Sequence, residues 1–321
     1  MARITETTPV HVVVPDLHIE SCRRALANQT IDGRQVHLHA VATNDVWIRD
    51  YGPFFVHDHV GRVAAVNFGF NSWGEKYPPW RDDDLAGERI AELAGVGVVN
   101  LPLHLEGGAL EGDGRGRLLT TPQCVLGESR HRDRPTPKRR RGPMAFSTPK
   151  RFDQQAAGRM LYRFLGVEET VWIDDCFLEG DDTDGHIDQI ARFVSPSDLV
   201  VATGDPTRSE HRLLRSVRSQ LELWAENTRP KIRVHPLPLP PHRRHHDQVL
   251  PQSYCNFQWL GPDRLLMPGF DAVADQRAAE ILSSASGAEV EVVDSRDLVM
   301  GLGSLHCASL EQFSPREPIG S

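Results

Sequence analysis

Short β-branched runs alternate with amphipathic stretches over most of the chain. His11 to Val14 is an apolar run stopped by Pro15 and predicts a strand. A helix is expected over Ile19 to Asn28, and Gln35 to Ala42 alternates as a second strand. Gly52 and Pro53 mark Trp47 to Pro53 as turn-rich. Phe54 to Val56 and Val63 to Phe68 predict strands flanking a turn at His57 to Gly61, and Asn71 to Trp80 is an aromatic loop. Asp84 to Leu93 has helical periodicity, with an acidic opening that suits the positive end of a helix dipole and Gly95 closing it.

Glu111 to Arg117 carries a hairpin signal, followed by a strand at Leu118 to Thr121. Phe152 to Leu165 predicts a helix ended by Gly166, and Val171 to Ile173 a strand. Thr207-Arg208-Ser209-Glu210 reads as a capping box opening a helix that runs to about Trp224. Leu265 to Met267, a helix from Ala274 to Ser284 and a strand at Val290 to Val293 finish the pattern. Interleaved strands and helices predict an α/β class. Neither a repeat nor a linker is legible, so residues 1–321 are expected to form a single domain.

Composition narrows the partners. The net charge of −8 and pI near 6.0 argue against a nucleic-acid binder and suit a cationic substrate. Apolar runs fall short of membrane-spanning length, and Met1 to Pro9 lacks a signal-peptide core, so a cytoplasmic protein with no membrane partner is expected. Five dispersed cysteines without a CxxC pair predict thiols in a reducing compartment and no structural zinc. The basic run at about 130–151 is expected to be a mobile, solvated loop, and His242 to His246 a wet surface loop.

Candidate chemistry lies in several polar clusters. Cys307 follows the glycine-spaced loop Gly301-Leu302-Gly303-Ser304, where backbone can approach a ligand closely and a thiol of lowered pKa can act as nucleophile. Asp181 to Asp188 is rich in carboxylates. Aligning Gly185 with the glycine of a calcium loop puts Ala191 where glutamate belongs, so that reading fails. In extended chain His186 and Asp188 would share one face, an imidazole beside a carboxylate. Trp47 and Asp50 offer an aromatic wall and a second carboxylate, with Arg49 as the ordinary ion-pair partner for Asp50. Glu106, before Gly107-Gly108, is a third candidate carboxylate, and Asn256 a candidate hydrogen-bonding amide. The glycines at 112, 114 and 116 lack the lysine of a phosphate loop.

Taken together, six ordered stretches are distinctive: WIRDYGP, FNSWGEKYPP, LEGGALEGDGRGRLLTT, DDTDGHIDQIARF, PQSYCNF and GLGSLHC. Their order resembles that of the agmatine deiminase and bacterial-type peptidylarginine deiminase family, from about Val41 to Glu311. The resemblance implies a pseudo-fivefold α/β propeller, the pentein fold, with the active site at its centre. It implies Cys307 as nucleophile, His186 as acid and base, and Asp50 and Asp188 as the guanidinium clamp. Trp47 and Asn256 would bind substrate, with no metal or cofactor required; Glu106, otherwise a turn residue, and Gly303 are further substrate-binding candidates read from the sequence itself. The expected reaction converts agmatine and water to N-carbamoylputrescine and ammonia through a cysteine amidino-thioether, a step of putrescine and polyamine biosynthesis. A homodimer is suggested as well.

The chain also departs from that pattern. It lacks the family's aromatic-Ala-Trp-Pro strand ahead of His11, so either the first blade is incomplete or the chain start is set too late. Leu302 and Ser304 stand for glycines, Asp181-Asp182 for Asp-Glu, and Ala308-Ser309-Leu310 for Ile-Thr-Gln, while His131 to Lys150 resembles an insertion. The alternatives are deimination of peptidyl-arginine or free arginine, and a catalytically weak relative that binds guanidino ligands.

Overall fold

A computed structural model describes residues 1–29, 31, 33–58, 60–131 and 152–313. The first sheet joins strand β1 (Val10–Val14) to strand β2 (Val36–Ala40) in parallel, through helix α1 (Ile19–Ala27). The short helix α2 (Ile48–Tyr51) leads into β3 (Phe54–His57) and β4 (Val63–Gly69), which pair antiparallel. A helical turn α3 (Ser72–Glu75) and helix α4 (Arg81–Leu93) then carry the chain to β5 (Gly97–His104), parallel to β4.

The same plan recurs. Strands β6 (Leu110–Gly112) and β7 (Arg117–Thr120) form a hairpin. Helices α5 (Pro122–Leu126), α6 (Glu128–His131) and α7 (Gln154–Leu165) precede β8 (Glu169–Trp172), parallel to β7. Next come β9 (Ala191–Ser195), β10 (Asp198–Thr203), helix α8 (His211–Asn227) and β11 (Arg233–Pro238). A small hairpin of β12 (Arg244–His245) and β13 (Gln248–Val249) intervenes. The last unit is β14 (Gln258–Trp259), β15 (Arg264–Gly269), helix α9 (Ala272–Ser286) and β16 (Glu289–Asp294). Four sheets therefore hold a middle strand paired antiparallel on one edge and parallel on the other, while the first sheet has two strands among the described residues.

Local chemistry explains the boundaries. Asp153 accepts a hydrogen bond from the Ala156 amide at the start of α7, and Gly166, at φ +70°, ends it. Asp271 and Gly287 do the same for α9. In β10, Leu199 to Ala202 are fully buried, so the strand reads as an unbroken apolar run rather than an alternation. The core gathers the inner faces of the last two three-stranded sheets with α8 and α9, and two further clusters fill the earlier units. Among the described residues no helix is long and apolar enough to cross a membrane.

Within the turn-rich stretch, residues 48–51 form a single helical turn. Three local expectations are corrected. Thr207 makes no capping box: its hydroxyl donates to Asp205, and α8 starts after Glu210 without a side-chain cap. Ile187 to Gln189 is a 3-10 turn, so His186 and Asp188 do not stand on an extended face, and the strand begins only at Ala191. Of the basic run, residues 132–151 lie outside the described residues. Arg130 belongs to the interior rather than to a solvated loop, because two carboxylates compensate its charge there.

Candidate active site

Four chain segments converge on one sulfur. Cys307 ends the loop that follows the 3-10 turn Leu298–Gly301 and is 7% exposed. That loop lies on the Trp47 indole: a Cβ on Gly303 would fall 2.5 Å from the ring, which is why a glycine stands there. Asn256 fixes the loop from the other side. Its carbonyl accepts from the His306 and Cys307 amides at 3.1 and 3.3 Å. Its amide nitrogen donates to Cys307 Sγ at 3.1 Å and to Asp188 Oδ2 at 3.2 Å.

The 3-10 turn after His186 aims the carboxylate inward. Asp188 Oδ2 lies 3.7 Å from Cys307 Sγ and 2.8 Å from His306 Nδ1, while its Oδ1 is buried without a hydrogen bond. The His186 ring stands between two more carboxylates. Its Nε2 meets Glu106 Oε2 at 3.2 Å, and its Nδ1 is 3.6 Å from Asp50 Oδ1 with no hydrogen bond of its own. Asp50 is held by the Gly108 amide at 2.9 Å on Oδ1 and by Trp73 Nε1 at 3.0 Å on Oδ2. Gly108 has no alternative: a Cβ there would come 2.5 Å from His186 Nδ1 and 2.9 Å from Asp50 Oδ1. Arg49 does not pair with Asp50; it bonds Glu311 at 2.7 Å and the His306 carbonyl at 3.2 Å.

Burial and like charges set the ionisation. Burial pushes Asp188 up to about 7; Asp50 adds to this and His186 opposes it. Asp50 is also raised, by burial first, against the pull of His186. His186 goes the other way. Burial alone would lower it, but Asp50, the Glu106 hydrogen bond and Asp188 carry it up to about 9. Burial raises the Cys307 thiol well above its usual value, with Asp188 and Asp50 adding to it. The cluster is thus a buried group of carboxylates around one imidazolium, with acceptor atoms left open. Such a place suits a flat cation rich in N–H donors.

The residues Cys307, His186, Asp188, Asp50, Glu106 and Asn256 all lie in this network, and Trp47 and Gly303 form its floor. Sequence reasoning passed over Trp73, Gly108, Arg130, Gln189 and His306. Trp73 lies in the loop read only as aromatic, and its backbone, with Ser72, Gly74 and Glu75, has positive φ. Strain of that kind marks positions over-determined by their surroundings. Arg130 sat in the basic run, yet it is fully buried and binds Glu106 through Nε at 2.8 Å and Nη2 at 3.2 Å. Elsewhere, Glu179, Glu210 and His242 bring donor atoms within 4.8 Å of one another. Arg208, 3.1 Å from Glu210, already supplies that group's countercharge.

Known proteins are similar to this chain over most of its length. The family model described as Porphyromonas-type peptidyl-arginine deiminase matches residues 1–140 and 147–312. The chain is 29% identical over 343 residues to the agmatine deiminase of Pseudomonas fluorescens, spanning 98% of this chain and 85% of that one. The Pseudomonas aeruginosa agmatine deiminase is 28% identical over 316 residues, or 91% and 80% of the two chains. A cysteine-to-serine variant of C. jejuni agmatine deiminase, solved with substrate bound, superposes with a TM-score of 0.80 at 25% identity, over 98% and 85% of the two chains.

Proposed function

The chain belongs to the Porphyromonas-type peptidyl-arginine deiminase family, and from that premise we propose that it hydrolyses the guanidinium group of agmatine, giving N-carbamoylputrescine and ammonia. The observation that carries the reading is the contact of Asp188 and Asn256 with one sulfur, beside His186 and its two further carboxylates. The recurrent sheet plan supports five blades round one axis in a single domain, with this site at the centre.

Two carboxylates, Asp50 and Asp188, clamp the substrate through charge-assisted hydrogen bonds and hold its central carbon before Cys307 Sγ. Burial first, and Asp188 and Asp50 after it, keep the thiol protonated; the arriving cation neutralises those two charges, so substrate binding favours loss of the thiol proton to solvent. Sulfur attacks the guanidinium carbon. Protonated His186 passes its proton to the departing nitrogen, the C–N bond breaks, and ammonia leaves a cysteine amidino-thioether. His186, now neutral, takes a proton from water, whose oxygen adds to the same carbon. The C–S bond then breaks and the ureido product departs. Asn256 steadies the sulfur by its N–H, and Glu106, charged through Arg130, holds the His186 ring.

The depth of Cys307 favours a small free guanidine over an arginine within a folded protein. In this reading the enzyme works in the cytoplasm on the route to putrescine. The test is ammonia release with purified protein across agmatine, arginine and an arginyl peptide. Agmatine is expected to be turned over fastest by kcat/KM. Ammonia from the peptide and none from agmatine would overturn the assignment.

A further inference from the structure

Of the buried polar side-chain atoms near Cys307, four have no hydrogen bond among the described residues: His186 Nδ1, Asp188 Oδ1, Gln189 Oε1 and Ser304 Oγ. The first two belong to the clamp and the acid–base group. Gln189 has no role in that account. Its side chain is 2% exposed, and its Nε2 lies 3.8 Å from Cys307 Sγ. Its backbone is fixed within the 3-10 turn: the carbonyl accepts from Ser253 Oγ at 2.6 Å and the amide donates to the His186 carbonyl. The side chain is therefore held with an amide N–H toward the sulfur and a carbonyl oxygen that nothing in the protein satisfies. Leaving a buried acceptor unpaired is costly, and folding alone gives no return for it.

We propose that Gln189 is a further catalytic residue of this site, its amide carbonyl accepting a guanidinium N–H of the substrate while its amide N–H bonds the Cys307 sulfur. The donor count fits. A guanidinium with one substituent presents five N–H groups; Asp50 keeps one lone pair open on each oxygen and Asp188 two on Oδ1, which together engage four. The fifth needs an uncharged acceptor, because another carboxylate beside Asp50 and Asp188 would oppose formation of the thiolate. An amide accepts from the cation and donates to the anion without adding charge to either.

The inference rests on the thiolate route proposed above, and the experiment separates the two. Gln189→Met and the isosteric Gln189→Glu are compared with the parent for agmatine kinetics and for the pH dependence of Cys307 alkylation by iodoacetamide. The methionine variant is expected to raise KM about tenfold, the weight of one hydrogen bond to a charged group. The glutamate variant is expected to move the alkylation midpoint upward by about one pH unit, which a purely structural role would not do. It keeps the shape of glutamine, so it reports even if the methionine variant does not fold. Unchanged KM and an unchanged alkylation profile in both variants would overturn the assignment of Gln189. Turnover by Cys307→Ala, by contrast, would remove the covalent route itself.

Discussion

Two buried carboxylate clusters lie within a few residues of each other and are finished differently. In the first, Glu111 Oε2 binds Arg192 Nε at 2.8 Å and Glu111 Oε1 accepts from the Phe193 amide at 2.9 Å. Arg192 Nη1 donates to the carbonyls of Phe257 and Cys255, and the guanidinium sits 4.4 Å over the Phe257 ring. In the second, Asp50, His186 and Asp188 are just as deep, yet acceptor atoms are left open and Asp188 is pushed up to about 7 by burial and by Asp50. The protein keeps one guanidinium permanently, as structure. It leaves a second acidic cluster with buried acceptor atoms unpaired, the place where the proposed substrate guanidinium would sit. A buried charge network that closes on itself stabilises one arrangement, and one that does not is poised for a ligand.

That contrast can be broken by mutation. The largest effect is expected at the open cluster: Cys307→Ala should lower kcat for agmatine on the order of 10⁴-fold with an unchanged melting temperature. Undiminished ammonia release would end the comparison. At the closed cluster the effect should fall on stability instead. Glu111→Gln leaves Arg192 without its counter-ion and should cost about 3–5 kcal/mol in denaturant unfolding. A change within 0.5 kcal/mol, roughly that of an ordinary surface substitution, would show that the pair is not structural. Gly108→Ala should cut kcat/KM by about 100-fold, since the new methyl displaces His186 or Asp50. Gly158→Ala in α7, where a Cβ meets nothing within 4 Å, is the control and should leave activity intact.

The smallest effect is set by pH. On the proposed mechanism the clamp needs Asp188 ionised, so kcat/KM should fall about tenfold per unit as pH drops below about 7. The leaving nitrogen needs protonated His186, so kcat/KM should fall similarly as pH rises above about 9. The two limbs belong to the coupled cluster as a whole. A profile flat from pH 6 to pH 10 would contradict the open-cluster assignment.

Much of this was legible in the residues, for identifiable reasons. Strands β1 and β4 carry valine-bearing apolar runs, and helix α7 carries its own cap and stop, so local pattern sufficed there. The ordered motifs brought out Cys307, His186, Asp188 and Asp50 because each lies in a short stretch of unusual composition. What stayed hidden was pairing across distance. That Arg130 leaves the basic run to hold Glu106, and that Arg49 turns from Asp50 to Glu311, depends on tertiary proximity that neither period nor spacing encodes. Trp73 reaches Asp50 only because its backbone adopts positive φ, a conformation that nothing in a tryptophan's propensity announces. The misread capping box at Thr207 shows the reverse: a motif can be present while Asp205 captures its hydroxyl first.

The bond from Arg49 to the carbonyl of His306 spans 257 positions of the chain. A nascent polypeptide therefore carries its acidic residues and its imidazole long before its nucleophile. On the mechanism proposed above, a chain that stops short of Cys307 is expected to fold most of its sheets and yet release no ammonia.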